Sequence, residues 1–325
     1  MTWTDPDLQW RPDVLGGNYV QATLPLEPDD EGECVATLVR YRPRRWKFTQ
    51  QRRAVLYVHG WNDYFFQEEL AEFWHRQGVT FYALDLRKYG RSLREHQTKG
   101  FITDLAHYDE EISLALDHIR AIHGDRVQIT GMGHSTGGLI WALWAERHPS
   151  TLSSLILNSP WLELQGSWVL RTIATPMIGQ LARLNPRAEI PLLDPGFSAR
   201  TMLEEHGGEW NYDKKWRPSP MFPVRAGWLR AIMRGHAEVA DGLGIDVPVL
   251  TMVSARSLIR PRWSEEMRRA DIILDVDHIV ERAAYLGPRV TLLRVDGGLH
   301  DVVMSAPPVR AWVYREMRRW ARAYT

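Results

Sequence analysis

The chain has 325 residues, of which 44% are hydrophobic and 25% are charged. This composition is typical of a globular protein, and the length suffices for one large α/β domain or for a domain with an insertion. The 40 Lys and Arg residues balance the 40 Asp and Glu residues. Because no net charge draws the chain to nucleic acid or to an anionic membrane surface, we expect neither as a partner.

Cysteine usage and the N-terminal sequence bear on the location of the protein. Cys34 is the only cysteine, so an intrachain disulfide is excluded and a reducing compartment is permitted. The first residues lack the basic stretch and the apolar core of a signal peptide. No apolar run approaches the roughly 20 residues that span a bilayer. We therefore expect a cytoplasmic protein without a transmembrane segment.

Strand and helix patterns alternate through the first half of the chain. Residues 18–25 and 33–42 are typical of two strands joined by a turn-rich loop. The pattern continues with a strand at 54–58, a helix at 68–76, a strand at 80–84, a helix at 104–122, a strand at 127–130, a helix ending near Arg147 and a strand at 155–157. This order predicts an α/β fold whose central sheet is mostly parallel and flanked by helices.

The alternation is interrupted between residues 161 and 245, where helical segments and several prolines occur. Five of the 15 tryptophans lie there, namely Trp161, Trp168, Trp210, Trp216 and Trp228. The sheet pattern then resumes with a strand at 248–253, a helix at 277–285, a strand at 290–295 and a helix at 308–323. We therefore predict a core of residues 1–160 and 246–325 with an inserted helical cap of residues 161–245. The cap would lie over the C-terminal edge of the sheet, where open α/β sheets bind ligands.

The residues between the strand at 127–130 and the next helix contain the pattern G-x-S-x-G, as Gly133-His134-Ser135-Thr136-Gly137. A sharp strand-to-helix turn strains the serine backbone, so small residues must flank it. The turn exposes the serine hydroxyl beside the free N–H groups of the helix N-terminus. Ser135 is therefore the candidate nucleophile, and a plain glycine-rich turn is the alternative.

A serine hydroxyl needs a histidine base, and the base needs a carboxylate that orients it. In a nucleophile elbow of this kind the chain order is serine, acid, histidine. Five histidines follow Ser135; beyond His148, which follows the next helix, they are His206, His236, His278 and His300. We favour His300 because the turn Asp296-Gly297-Gly298-Leu299 returns the chain from a strand to the sheet edge. The other three are expected to be surface or packing residues.

The chain resembles α/β-hydrolases of the monoacylglycerol lipase and lysophospholipase type, the serine aminopeptidase-like or "hydrolase-4" group. The matching segments are Val58-His59-Gly60-Trp61, Asp85-Leu86-Arg87-Lys88-Tyr89-Gly90-Arg91-Ser92, Gly133-His134-Ser135-Thr136-Gly137-Gly138 and Gly298-Leu299-His300-Asp301. The resemblance implies the α/β-hydrolase fold with an inserted cap. It also implies that His59 and His134 shape the backbone, and Lys88 departs from the glycine that is usual at its position.

The resemblance places the acid of the triad after the strand that ends at Val253, but no acidic residue follows directly. We interpret residues 258–269 as an extra excursion that returns the chain to the usual loop, so that Asp271 matches the family acid. Asp275 is the main rival, although it also suits the cap of the next helix. Asp277 and Glu163 remain alternatives.

Two backbone N–H groups are expected to form the oxyanion hole. The residue after the nucleophile supplies one, here Thr136, and the loop after the first parallel strand supplies the other, here Trp61. The Trp61 indole would also line the pocket. No HExxH motif, pair of cysteines or phosphate-binding loop occurs, so no metal and no cofactor is expected.

The cap is expected to roof this site. Apolar residues of one cap helix would face inwards, namely Trp168, Val169, Leu170, Ile173, Met177, Ile178 and Leu181, and Pro176 would bend or end that helix. Apolar walls suit a hydrophobic substrate. The sequence therefore predicts a serine esterase that cleaves hydrophobic monoesters such as monoacylglycerol-like or lysophospholipid-like molecules. The alternatives are aminopeptidase or thioesterase chemistry on the same triad, or a non-catalytic ligand receptor.

Overall fold

The computed structural model describes residues 8–43, 52–164, 168–191 and 194–324, with backbone alone for 168–175. Its strands are β1 Arg11–Pro12, β2 Tyr19–Asp29, β3 Gly32–Tyr41, β4 Arg53–Val58, β5 Thr80–Asp85, β6 Gln128–His134, β7 Ser154–Asn158, β8 Glu189–Ile190, β9 Val224–Arg225, β10 Val249–Ser254 and β11 Val290–Val295. Its α-helices are α1 Glu68–Arg76, α2 Tyr108–His123, α3 Thr136–Arg147, α4 Trp168–Leu184, α5 Phe197–Met202, α6 Ala226–Asp241, α7 Val276–Ala283 and α8 Pro307–Tyr324.

Nine strands form one sheet in the order β1-β2-β3-β5-β4-β6-β7-β10-β11. The pairings from β5 to β11 are parallel, whereas β1, β2 and β3 add antiparallel pairings at one edge. This arrangement confirms the predicted fold class. Strands β8 and β9 pair with each other in a separate two-stranded sheet.

The buried strand β4 shows how the core forms on both faces of the sheet. Val55 and Tyr57 lie in the apolar cluster that includes α1 and α8. Their neighbours Leu56 and Val58 lie in the cluster on the other face, with α2 and α3. Since side chains alternate along a strand, a continuous apolar run serves both faces and suits a parallel sheet covered by helices.

Residues 161–245 lie in the chain between the neighbouring strands β7 and β10, and contain α4, α5, α6 and the small sheet. Helix α6 packs against α3 and α4. Its residues Trp228, Ile232 and Val239 belong to the same apolar cluster as the helices that cover the main sheet. Part of the inserted segment is therefore continuous with the core of the molecule.

Two expectations about helices were wrong in part. Helix α4 does not end at Pro176 but continues to Leu184, because its packing against α6 outweighs the cost of about 3 kcal/mol for an interior proline. The sequence predicts that the arginines of α8 form a solvated basic face, namely Arg310, Arg315, Arg318, Arg319 and Arg322, but Arg310 does not lie there. Its guanidinium is buried and pairs with Glu69 at 2.7 Å, and its Nη1 donates to the Ser305 carbonyl at 2.7 Å.

In the described part of the chain, no helix combines the length and apolar character needed to cross a bilayer.

Candidate active site

Ser135 lies at the turn between β6 and α3, with φ 53° and ψ −117°. Few non-glycine residues adopt a positive φ, and at functional sites this strain is held by the surrounding structure. Here the turn is tight because the chain touches itself. A Cβ at Gly133 would collide with the Gly137 backbone, and one at Gly137 would collide with the His59 carbonyl. Both glycines of the G-x-S-x-G pattern are therefore required by close backbone approach.

The loop after β4 lies against this turn. A Cβ on Gly60 would be 3.0 Å from Ser135 Cβ, so the Trp61 backbone that follows is beside the serine. His59 holds the loop, because its Nε2 accepts from the Leu86 N–H at 3.1 Å. Its Nδ1 therefore carries the proton and donates to the Gly60 carbonyl at 2.8 Å. His59 thus shapes the backbone, as expected.

The two N–H groups predicted to form an oxyanion hole belong to Trp61 and Thr136. Thr136 is the first residue of α3, so its N–H has no acceptor within the helix. Across the described ranges of the chain, neither N–H donates to a backbone carbonyl outside the helices and strands. Two unpaired donors on the loop and turn that meet at Ser135 can stabilise a negatively charged oxygen there.

His300 and Asp271 form a hydrogen-bonded pair. His300 Nδ1 is 2.8 Å from Asp271 Oδ2, and the Asp271 side chain is fully buried. Asp271 Oδ1 accepts from the N–H groups of Ile273 and Leu274, each at 2.8 Å. With the carboxylate fixed in this way, Nδ1 of His300 donates and its Nε2 is left to accept a proton.

None of the three rival acids contacts His300. Asp275 caps α7, where its Oδ1 accepts from the Asp277 N–H at 3.0 Å. Asp277 is exposed and pairs with Arg294 at 2.6 Å. Glu163 pairs with Arg282 at 2.6 Å. Geometry therefore favours Asp271 among the four candidates.

The excursion before Asp271 is a closed loop. The Asp271 N–H donates to the Arg256 carbonyl at 3.0 Å, and the Leu258 N–H donates to the Asp271 carbonyl at 2.7 Å. Leu258, Met267 and Ala270 pack together inside it. The loop therefore leaves the sheet edge and returns to it, which brings a carboxylate 18 residues after Val253 to His300.

His134 is close to both Ser135 and His300. The ring centroids of His134 and His300 are 4.9 Å apart, and Ser135 is the next residue after His134. The hydrogen bond of His300 is made with Asp271, and none joins its ring to Ser135 Oγ in this structure. Such contacts are often long without substrate and shorten when it binds.

The sequence interpretation missed the residues that anchor the His300 loop. Asp301 Oδ1 accepts from Asn158 Nδ2 at 2.6 Å and from the Val303 N–H at 3.2 Å. Asn158 Oδ1 accepts in turn from the Val302 N–H at 3.1 Å. Asn158 ends β7 and Asp301 follows His300 directly, so their position at the sheet edge was the available signal.

Aromatic side chains lie on one side of Ser135. The Trp161 N–H donates to the Ser135 carbonyl at 3.0 Å. The Trp228 ring lies 3.7 Å from that of Trp61 and 5.9 Å from that of Trp161, and Phe222 lies 4.7 Å from Trp61. The indole N–H groups of Trp61 and Trp161 are buried without a hydrogen-bond partner. These side chains form an aromatic cluster next to the Ser135 turn.

The predicted aromatic roof is smaller than expected. Trp210 donates to the Met304 carbonyl at 2.9 Å, and Trp216 packs on Tyr64. On α4, Met177 and Leu181 are exposed, with 67% and 37% of their surface accessible, so they do not face inwards. Ile178 packs against the core. The side chains of Trp168, Val169, Leu170 and Ile173 lie outside the described residues.

The sequence profile of the family described as "Serine aminopeptidase, S33" matches residues 49–270, about two-thirds of the chain. This match includes the loop after β4 and the Ser135 turn. The chain belongs to this family. Its members are hydrolases, so the expected membership of the "hydrolase-4" group is confirmed. No curated protein sequence matches the chain significantly.

Solved structures share the S33 hydrolase fold seen here at low sequence identity. A soluble variant of monoglyceride lipase from Saccharomyces cerevisiae, bound to a substrate analogue, is 18% identical with a TM-score of 0.65, covering 94% of this chain and 97% of that one. Paleococcus ferrophilus monoacylglycerol lipase is 17% identical with a TM-score of 0.60, covering 85% and 96%. A Bacillus coagulans carboxyl esterase is 13% identical with a TM-score of 0.62, covering 94% and 98%.

Proposed function

We propose that this S33 hydrolase cleaves carboxylic esters, with Ser135 as nucleophile, His300 as base and Asp271 as the orienting acid. The observation that carries the proposal is the buried 2.8 Å contact between His300 and Asp271, beside a serine held at φ 53°. The proposal is supported by residues from four separate chain segments, those that contain Trp61, Ser135, Asp271 and His300.

In the proposed reaction, Ser135 Oγ attacks the ester carbonyl carbon and gives its proton to His300 Nε2. The N–H groups of Trp61 and Thr136 stabilise the oxyanion of the tetrahedral intermediate. His300 then protonates the leaving alcohol as the ester bond breaks. Water, deprotonated by His300, releases the acid and restores Ser135. Asp271 stabilises the charged imidazole in both steps and needs no proton of its own.

The aromatic cluster supports a hydrophobic acyl group. Trp61, Trp161, Trp228 and Phe222 offer apolar surface next to the nucleophile, which suits an acyl or aryl chain and disfavours a free sugar. Two of the structural neighbours are named as monoacylglycerol or monoglyceride lipases. We therefore infer hydrophobic monoesters as substrates, and residues 161–245 as the cap that covers them.

An aminopeptidase is the second candidate, because the family description names that activity. It would need a free carboxylate to bind the substrate ammonium group. Two carboxylates near His300 are already engaged, since Asp63 pairs with Arg217 at 2.6 Å and Asp301 accepts from Asn158 at 2.6 Å. This occupancy favours an ester over an aminoacyl substrate.

A fluorophosphonate probe tests the nucleophile. Wild-type protein should be labelled and should hydrolyse p-nitrophenyl butyrate, whereas Ser135→Ala should do neither, because the probe bonds to an activated serine oxygen. Ser159→Ala is a matched control, since Ser159 is also a buried serine with positive φ, following β7. Its labelling should equal that of the wild type.

Two outcomes would contradict the proposal. Equal labelling of Ser135→Ala would exclude Ser135 as the nucleophile, and a wild type that is not labelled would favour a non-catalytic receptor. Faster cleavage of aminoacyl p-nitroanilides than of p-nitrophenyl esters by the wild type would favour the aminopeptidase.

A further inference from the structure

A group of polar residues lies next to His300. His134, Arg217, His300 and Asp301 line a cavity of about 20 Å³. Asp63 lies behind it and is 1% exposed. Of these five residues, His300 reacts in the mechanism proposed above and Asp301 anchors its loop, whereas Asp63 and Arg217 have no part in either.

Arg217 joins the inserted segment to the core at this place. Its Nη1 is 2.6 Å from Asp63 Oδ1, and only 11% of its side chain is exposed. The guanidinium also lies over the rings of Phe66 and Tyr212, at 5.4 and 5.1 Å from their centroids. A buried arginine on an inserted segment can hold a core carboxylate only while that segment is closed against the core.

Asp63 links Arg217 to the imidazole of His134. Asp63 Oδ2 is 3.5 Å from His134 Nδ1, and both ring nitrogens of His134 are buried without a hydrogen bond. Burial lowers the pKa of His134, but the carboxylates of Asp301 and Asp63 outweigh this effect and raise it above its ordinary value. The imidazole therefore lies against the Asp63 carboxylate at a distance too long for a good hydrogen bond.

His134 in turn supports His300. The hydrogen bond to Asp271 fixes His300 at one atom, Nδ1, and leaves rotation about that contact. The plane of the His300 ring is set by packing, and the His134 ring lies 4.9 Å away at 58°. A base displaced by about 1 Å can lose roughly a hundredfold in rate.

We propose that Arg217 and Asp63 are positioning residues, which hold the His134 ring against His300 and so align the base when the inserted segment is closed. The inference rests on the proposed function, and it gives the inserted segment a part in aligning the base in addition to covering the substrate. Arg217 and Asp63 take no part in the proton transfers of the proposed reaction.

The test uses Arg217→Met in the full chain, with p-nitrophenyl butyrate as substrate. We expect kcat to fall about 10- to 100-fold, because misaligned groups lose rate steeply, while KM stays within about threefold, because the aromatic cluster that holds the acyl group is untouched. Arg217→Lys keeps the charge and should recover part of kcat.

The double variant Asp63→Asn/Arg217→Met distinguishes an effect on the alignment of His300 from an effect on the stability of the fold. Arg217→Met alone leaves a buried carboxylate unpaired, which is strongly destabilising, whereas removal of both charges can leave a buried site stable. If the pair aligns His300, kcat stays low in the double variant even when its Tm returns to the wild-type value. If the pair only stabilises the fold, kcat returns together with Tm.

Arg187→Gln is the matched control. Arg187 also joins the inserted segment to the core, through Asp30 at 2.8 Å, but lies outside the contacts of His134 and His300. Its kcat should equal that of the wild type.

Wild-type kcat in both the single and the double Arg217 variants, with fluorophosphonate labelling of Ser135 intact, would overturn the positioning role alone. A wild type that neither labels nor hydrolyses esters would overturn both proposals.

Discussion

At the scale of single residues, the acid of the proposed triad was harder to assign from the sequence than the serine and the histidine. Ser135 and His300 follow from local context, since a strand, a turn and small neighbours mark each position. Asp271 lies after a 12-residue excursion, residues 258–269, and Asp275 lies four residues later in similar surroundings. Only the closed loop, in which Asp271 pairs with Arg256 and Leu258, decides which carboxylate reaches the histidine.

Substitution of Asp271 and of Asp275 by Asn should therefore have very different effects on kcat. Asp271→Asn favours the wrong tautomer of His300 and should lower kcat by about 10⁴-fold, as when a triad acid is replaced by its amide. Asp275→Asn should keep kcat within about twofold, because Asn still caps α7 well. Steady-state kinetics at matched Tm give the answer, and a larger loss in Asp275→Asn would reverse the assignment.

The contact between Arg217 and Asp63 could not be predicted from the sequence. Nothing distinguishes Asp63 from the other carboxylates of a chain with 40 Asp and Glu residues. Its importance comes from burial next to His134 and from a partner 154 residues away. Long-range pairing of this kind depends on the packing of the inserted segment, which has no local signal.

At the scale of elements, hydrophobic periodicity was a reliable guide. The helix Glu68–Arg76 and the strand Val290–Val295 lie as predicted, since one has charged ends and an apolar face and the other is bounded by turn residues. β6 was predicted too short, ending at Thr130 instead of His134, because its last residues include Gly131 and Gly133 and have low strand propensity. The sheet keeps them extended to the turn.

Two glycines in helices illustrate the difference between tight and open packing. Gly137→Ala in α3 would push a Cβ into the carbonyls of Val58 and His59, so we expect a loss of several degrees in Tm and of Ser135 labelling. Gly179→Ala in α4 meets nothing within 4 Å and should stabilise the fold by about 0.4–1 kcal/mol, because alanine restricts the unfolded chain. Thermal unfolding of both variants tests this, and a stable Gly137→Ala would contradict the close approach of α3 to β4.

At the scale of the whole molecule, ion pairs connect the β2–β3 hairpin with a core loop and with the inserted segment. Lys88 is fully buried and its Nζ lies 2.5 Å from Asp29 and 2.6 Å from Glu31 in the β2–β3 hairpin. Arg187 of the inserted segment reaches the same hairpin at Asp30. Lys88 adopts φ 65°, a backbone conformation that favours glycine. A lysine at this position makes ion pairs that a glycine could not make. The hairpin therefore fixes both the core loop and the inserted segment.

These ion pairs predict an acid-dependent stability. Burial raises the pKa of Asp29 and Glu31, but the hydrogen bond and the charge of Lys88, together with other hydrogen bonds to these carboxylates, outweigh it and lower both from their ordinary values of 3.8 and 4.5. Each carboxylate thus stabilises the fold above its pKa in the unfolded chain, and this contribution is lost as pH falls through the lowered pKa. The Tm difference between wild type and Lys88→Met should therefore be full above pH 5 and shrink towards pH 3.

Scanning calorimetry across this pH range measures the difference directly. Lys214→Met is the control, since Lys214 pairs with Glu205 at the surface, where both side chains are about half exposed, and exposed pairs contribute little. Its Tm should follow the wild type at every pH. A Lys88→Met difference that stays constant between pH 3 and pH 6 would exclude the linkage to Asp29 and Glu31.

The conformation of Ser135 has a consequence for anyone who would improve this protein by selection. At φ 53° and ψ −117° a side chain costs about 1–3 kcal/mol, and glycine would occupy the same turn without that cost. A screen for heat resistance alone would therefore favour loss of the serine and enrich inactive variants. A screen for turnover would retain it, so the two searches diverge at this single position.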